Sequence, residues 1–358
     1  MAGKSATLEQ GSDLHAAEAT SFDGAKLIPN EYLCGYCDLV RDLGGDAGAL
    51  LAAGGIDGSS LQQRGGKIPL LATAMLLENS ARALDCADFG LQLAERQNGA
   101  LMKPLDRLIC NAPTLGDIDR YIVSHMEAYS SGIRATLERD AERRMYFFSF
   151  QLLLDDFVSC PQIAEQINLL AHNSSMALTG GVARAREVWF SHPRAGCAIN
   201  YARRFGAPVK FGQPFDGVFY TDADFESKVV GRDPGVFASE YRAITERFPA
   251  HLPGLEVRVR QAIVRALAEE DCTREQVAAS LGVHSRTLQR RLCRIGTSFE
   301  SLRDEVRRSL AARYLARSDL RLAEIVHRLG YSEPAVFSRS CRRWFAATPS
   351  ELRRHLTR

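Results

Sequence analysis

The sequence predicts an α+β N-terminal domain, with helices around an antiparallel sheet, followed by an all-α domain holding two tandem helix-turn-helix units. Three observations predict it. The stretch Phe248-Pro249-Ala250-His251-Leu252-Pro253-Gly254 breaks any helix and marks a linker. Before it, period-two alternation is interspersed with helical stripes; after it, strand signals vanish. Beyond the linker, a single pattern is written twice. The bounds that follow are 1–27 for a disordered tail, 28–248 for the first domain, 249–256 for the linker and 257–358 for the second domain. At 358 residues the chain is long enough for each domain to bury its own core.

In the first domain, Pro69 to Ala83 and Leu115 to Tyr129 carry apolar residues at helical spacing. Ile133 to Glu138 alternates as a half-buried strand does, and Arg143 to Leu152, rich in aromatics, reads as a strand buried on both faces. Glu187 to Ser191 and Phe215 to Tyr220 are two further short strands, and Gly44-Gly45-Asp46 reads as a helix-ending turn. The aromatic side chains Tyr146, Phe148 and Trp189 are the candidates for lining an apolar effector pocket.

Composition excludes several classes. No apolar run approaches the roughly 18 residues that span a bilayer, and Met1 to Thr20 lacks the basic start and apolar core of a signal peptide. No membrane partner is expected. The nine cysteines are mostly scattered singly, which fits a reducing, cytoplasmic setting rather than a disulfide framework. Cys34 and Cys37 alone have metal or redox spacing, with no second pair to close a zinc site. The eight histidines do not cluster with carboxylates, and no nucleophile elbow or phosphate loop is present, so neither a cofactor nor catalysis is expected. The net charge of +2 hides an asymmetry. From Gln261 onward there are 19 Arg and no Lys against 11 acidic residues, a basic module on a mildly acidic body. Such a module suits a polyanion.

The repeat gives that module its form. Thr273 to Val283 has a partner 48 residues on, Arg321 to Tyr331. Each is a short helix closed by a glycine, Gly282 or Gly330, at a left-handed turn. Thr273 with Gln276 has capping-box spacing. A second helix follows each turn. In the first, Leu288, Leu292 and Ile295 form the expected buried stripe; in the second, Phe337, Cys341 and Trp344 or Phe345 do so, with Ser332 as cap and Pro334 in the first turn. The faces left open carry the candidate DNA-reading residues. These are Arg286, Thr287, Gln289, Arg290 and Arg294 in one unit and Ala335, Ser338, Arg339 and Arg342 in the other. Arginine forks onto guanine and glutamine onto adenine in the major groove of double-stranded DNA. Phe299 to Ser318 reads as one helix joining the units, a rod suited to placing both readers about one DNA turn, roughly 34 Å, apart.

These tracts resemble the AraC/XylS family of bacterial transcription regulators. The carrying residues are Arg286 to Leu292, Gly296-Thr297-Ser298-Phe299, Leu329 to Pro334 with Phe337-Ser338-Arg339, and Pro349 to Arg353. The second unit departs from the family at Arg321, where a serine or threonine cap is usual, at Val326 for alanine and at Cys341 for phenylalanine; His284 stands at the first recognition helix's usual serine cap. More weakly, the first domain is similar to the family's arabinose-binding type of sensor. The similarity lies in Ile68-Pro69-Leu70, Asp88 to Leu91, Pro113-Thr114-Leu115 and Phe205 to Phe211. The resemblance implies sensing of a small-molecule effector of unknown identity, a homodimer through the N-terminal domain and, for an activator, RNA polymerase as a partner. Two alternatives stand beside it: a repair regulator of the Ada type with a reactive cysteine, whose proline-cysteine-histidine motif is missing, and a DNA-binding regulator that takes no ligand.

Overall fold

The computed structural model describes residues 25–63, 65–97, 105–140, 143–154, 159–247, 254–268, 272–317 and 320–356. Most of the stretches read as tail and linker lie outside these; Leu27 already opens a strand, and Leu255 and Glu256 already belong to a helix.

In chain order the N-terminal region runs β1 (Leu27–Pro29), α1 (Tyr36–Asp42), α2 (Ala47–Ala53), β2 (Lys67–Pro69), α3 (Leu70–Ala83), α4 (Phe89–Arg96), α5 (Asp106–Ile109) and α6 (Leu115–Tyr129). It continues with β3 (Ile133–Asp140), β4 (Met145–Leu152), α7 (Pro161–Leu178), β5 (Glu187–Phe190), α8 (Ala198–Phe205), β6 (Val209–Phe211), β7 (Gly217–Thr221), α9 (Asp222–Phe225) and α10 (Pro234–Arg247). The C-terminal region is helical throughout its described residues: α11 (Leu255–Ala268), α12 (Arg274–Ser280), α13 (Ser285–Arg294), α14 (Phe299–Leu315), α15 (Leu322–Arg328), α16 (Pro334–Phe345) and α17 (Pro349–Leu356).

Local chemistry accounts for several boundaries. Thr114 caps α6 by accepting from the Asp117 amide at 3.1 Å, and Asp46 caps α2 through the Ala49 amide at 3.1 Å, just after the left-handed turn at Gly44. Pro161 occupies the first turn of α7, where its missing amide proton is not needed. Gly90 of α4 lies so close to α7 that a β-carbon there would fall 2.0 Å from the Gln162 carbonyl oxygen, which fixes that helix crossing.

The sheet has the order β3-β4-β7-β5-β6, with β1 and β2 forming a separate antiparallel pair. It is antiparallel except for β5 and β6, which pair in parallel through Val188 with Val209 and Phe190 with Phe211. Sequence alternation does not reveal that exception, because a three-residue strand carries no period. The inner face, with Phe148, Val218 and Val188, packs under α6 and α7 in the N-terminal core. α7 is central there and buries an unusual number of polar side chains. Gln166 donates to the Tyr32 carbonyl at 2.7 Å and to Gln97 at 2.9 Å, and the Tyr201 hydroxyl donates to Glu165 at 2.6 Å.

Alternation sends Glu138, Phe147, Phe219, Glu187 and Trp189 to the opposite, outer face. The C-terminal region docks there. Arg265 of α11 pairs with Glu138, Phe215 packs against the C-terminal core, and Arg317 lies against Gly212. Phe215 and Phe147 have ring centroids 6.5 Å apart, so an aromatic path joins the outer face to the second core.

Candidate functional site

Each C-terminal repeat folds as a helix, a tight turn and a second helix. In the first, the Thr273 and Gln276 side chains complete a capping box at the start of α12, and the chain turns at Gly282 with φ +68°. His284 takes the N-cap of α13, its Nδ1 accepting from the Arg286 amide at 3.3 Å in the way a serine oxygen would. Leu288 and Leu292 are fully buried. Ile295, expected in that stripe, is 53% exposed, because it falls past the last turn of α13 where the chain reverses. In the second repeat the turn is at Gly330 with φ +65°. Ser332, expected to cap α16, precedes the cap; Glu333 holds that position without a side-chain bond, and Pro334 supplies the first helical residue. Arg321 caps α15 with no side-chain bond either.

α14 joins the two units and buries Phe299, Leu302, Val306, Leu310 and Tyr314 along one stripe. It ends at Leu315, short of the Ser318 bound; Ser318 itself lies outside the described residues. Several arginines brace the scaffold. Arg343 pairs with Asp304, whose other oxygen accepts from Trp344 Nε1 at 2.9 Å, and Arg307 donates to the Gly330 carbonyl at 2.8 Å. The candidate readers differ from these. Arg286, Gln289, Arg290, Arg294, Ala335, Arg339 and Arg342 are exposed, while Thr287 and Ser338 are half-buried. Among the described residues no carboxylate lies within ion-pair distance of Arg286, Arg290, Arg294, Arg339 or Arg342. Arg290 and Arg339 each occupy the sixth position of their helix, so the repeats present equivalent cations.

The N-terminal domain holds an apolar cavity between α6, α7 and β4. It is lined among others by Ile118, Ile122, Met126, Phe148, Phe150 and Leu170, with Asp119, Tyr32, Ser174 and Ser175 as its polar members. The space open to a water's centre is about 60 Å³, several times the roughly 10–15 Å³ that one water needs. Of the three aromatic candidates only Phe148 lines it. Tyr146 shares the inner face but stacks on Phe225 with centroids 3.8 Å apart, and Trp189 lies on the outer face against Phe147 and Phe219. Both departures follow from strand geometry: Tyr146 sits near the far end of β4, and Trp189 is paired with Gly217 in the outward register. Sequence reasoning missed Asp119, although its signal is present. It interrupts the stripe Leu115, Ile118, Ile122, Met126 with an acid on the apolar face of α6.

Among the described residues no group of three or more metal-ligating side chains assembles; Cys34 is exposed and Cys37 half-buried, both as free thiols. No described helix is long and apolar enough to cross a membrane.

A basic pair of helix-turn-helix units with exposed arginines on both second helices, carried by an α+β body with an internal cavity, defines a DNA-binding transcription regulator. Residues 44–229 match the arabinose-binding domain found at the N-terminus of AraC transcription regulators, and residues 277–355 match a helix-turn-helix domain. The chain belongs to the AraC family of transcription regulators. It is 33% identical to the HTH-type transcriptional regulator VirS of Mycobacterium tuberculosis over 337 residues, covering 91% of this chain and 96% of VirS. It is 26% identical to the Ornithine utilization regulator of Pseudomonas aeruginosa, covering 92% and 97%. The crystal structure of transcriptional regulator CdpR from P. aeruginosa aligns with 88% of this chain and 97% of its own at 22% identity and a TM-score of 0.40.

Proposed function

We propose that this regulator reads double-stranded DNA by placing α13 and α16 in successive major grooves. Arg286, Thr287, Gln289, Arg290 and Arg294 contact one half-site, and Ala335, Ser338, Arg339 and Arg342 contact the other. The observation that carries the reading is the equivalence of Arg290 and Arg339, both exposed, both sixth in their helix and neither paired with an acid among the described residues. An arginine left without an intramolecular partner keeps its full fork for guanine or phosphate. The N-terminal cavity is the effector site, with Phe148 in its wall; Tyr146 and Trp189 bear on it only through the sheet. In this reading the protein works in the cytoplasm, associates as a homodimer through the N-terminal domain and, acting as an activator, recruits RNA polymerase.

The test is selection of genomic DNA fragments by the purified protein alongside an Arg290→Ala, Arg339→Ala double variant. The expected result is an enriched motif with two half-sites about one turn apart that the double variant fails to enrich. Equal enrichment by both proteins would remove these arginines from the reading surface.

A further inference from the structure

The cavity contains one group that its apolar walls do not explain. Asp119 is 2% exposed, and its Oδ2 has no hydrogen-bond partner among the described residues. Among the described residues no cation forms an ion pair with it, and Arg120 only partly offsets its burial. Arg120, its neighbour in sequence, points away to pair with Asp117 at 3.3 Å and to lie over the Phe225 ring. The nearby hydroxyls are already committed: Tyr220 donates to Ser175 Oγ at 3.1 Å, and Ser175 donates to the Ala171 carbonyl at 2.8 Å. Burial therefore pushes the Asp119 carboxyl well above the usual carboxylate range.

A neutral carboxyl in this position costs stability through its unmade hydrogen bond, and an ionised one costs more. A ligand offering a neutral donor would be met equally well by an amide or hydroxyl at this position. A carboxyl gains most over those groups when the ligand brings a positive charge, because an enclosed, low-dielectric site strengthens the attraction between opposite charges. The rest of the lining is mainly hydrocarbon and aromatic, with Tyr32, Ser174 and Ser175 as its other polar members.

We propose that the cavity takes a small primary amine with a compact apolar body, its ammonium group held by Asp119 and its body by Ile118, Ile122, Met126, Phe148 and Leu170. The proposal rests on the reading of this cavity as the effector site. Burial favours the protonated carboxyl and a neighbouring ammonium favours the carboxylate, so the pair forms with the carboxyl's proton leaving to solvent. The other titratable groups facing the acid are Tyr32 and Tyr220, both raised above the ordinary tyrosine range by burial, and neither ionises near neutrality.

The experiment is calorimetric titration of the full chain with propylamine and isobutylamine, with propanol and isobutanol, and with propionate and isobutyrate. Each is run in two buffers of different ionisation enthalpy to count protons. Asp119→Asn tests the acid, Asp119→Leu serves as a second variant, and Ala171→Phe fills the cavity. Amine binding with release of about one proton, weakened at least tenfold in Asp119→Asn and abolished in Ala171→Phe, supports the proposal. Alcohols or carboxylates binding as tightly as amines, or amines binding Asp119→Asn and Asp119→Leu undiminished, would overturn it. If Ala171→Phe still abolishes that binding, the cavity keeps its place as effector site. No binding by any of the six compounds, or binding that Ala171→Phe leaves intact, overturns both readings.

Discussion

Arg290 and Arg339 are equivalent in geometry but not in setting. α13 starts from a bonded His284 cap, whereas α16 starts from Glu333 with no side-chain cap. Arg290→Ala is expected to weaken specific binding by about 1–3 kcal/mol, measured by titrating a selected operator fragment, with Arg339→Ala at the lower end of that range. A second residue-scale prediction concerns Glu165. Burial beneath α8 raises its carboxyl from 4.5 to about 8, outweighing the Tyr201 hydrogen bond that lowers it. The folded chain therefore keeps a proton that the unfolded chain loses above about 4.5. The stability tied to this proton is complete below that pH and is lost as pH rises toward about 8. Glu165→Gln keeps a neutral side chain at every pH. Urea midpoints across this window should fall for the natural protein and fall less steeply for the variant, in which the buried carboxyls of Glu78 and Asp119 still titrate, a difference on the order of a few kcal/mol.

At the scale of elements, α15 is the weakly started helix of the repeat. Arg321 holds the extended backbone of an N-cap, φ −74° and ψ 147°, but offers no acceptor to the first amides and sets a cation against the positive end of the helix. Arg321→Ser restores an oxygen there and, with Glu324 three residues on, the spacing of a capping box. A stabilisation of about 0.5–2 kcal/mol should appear as a higher denaturant midpoint. Elements whose two faces differ were legible from sequence: α6 runs from Leu115 to Tyr129 as its spacing predicts, and β3 and β4 fall where alternation and aromatics place them. α7 was not legible. It is buried nearly all round and carries Gln162, Glu165, Gln166, Asn168 and His172 inward, so no apolar stripe marks it. The cavity was half legible for the same reason. Phe148 stands out in an aromatic run, while the α7 residues opposite it have no period to betray them. The paired helix-turn-helix units were readable because a repeat supplies its own internal control: Gly282 and Gly330 recur at matched positions with matched left-handed backbones.

For the whole molecule, the decisive feature is that the two cores meet across the sheet. Arg265 neutralises Glu138, whose carboxyl burial would otherwise raise further, and Phe215 bridges from Phe147 to the C-terminal core. Both side chains of the pair keep part of their surface in water, 36% for Arg265 and 24% for Glu138, so either can be hydrated when the other is removed. The double substitution Glu138→Ala, Phe215→Ala removes both contacts from one side. It should leave each core's melting transition within about 1 kcal/mol, since surface contacts away from a core contribute little to its own stability. It should also enlarge the radius of gyration in small-angle X-ray scattering. An unchanged scattering profile would show that other contacts hold the halves together.

β4 is one strand of backbone with two tenants. Phe148 faces the cavity, and Phe147, the residue before it, faces the half of the molecule that holds DNA. A slip of one residue would exchange these faces outright, and a bulkier side chain at position 148 would shift the seat of Phe147. Descendants of this sequence that acquire new ligands are therefore expected to change first in α6 and α7, which pack within the N-terminal half and touch the cavity from the other side. Ligand preference can then drift while the strand between the two halves stays as it is.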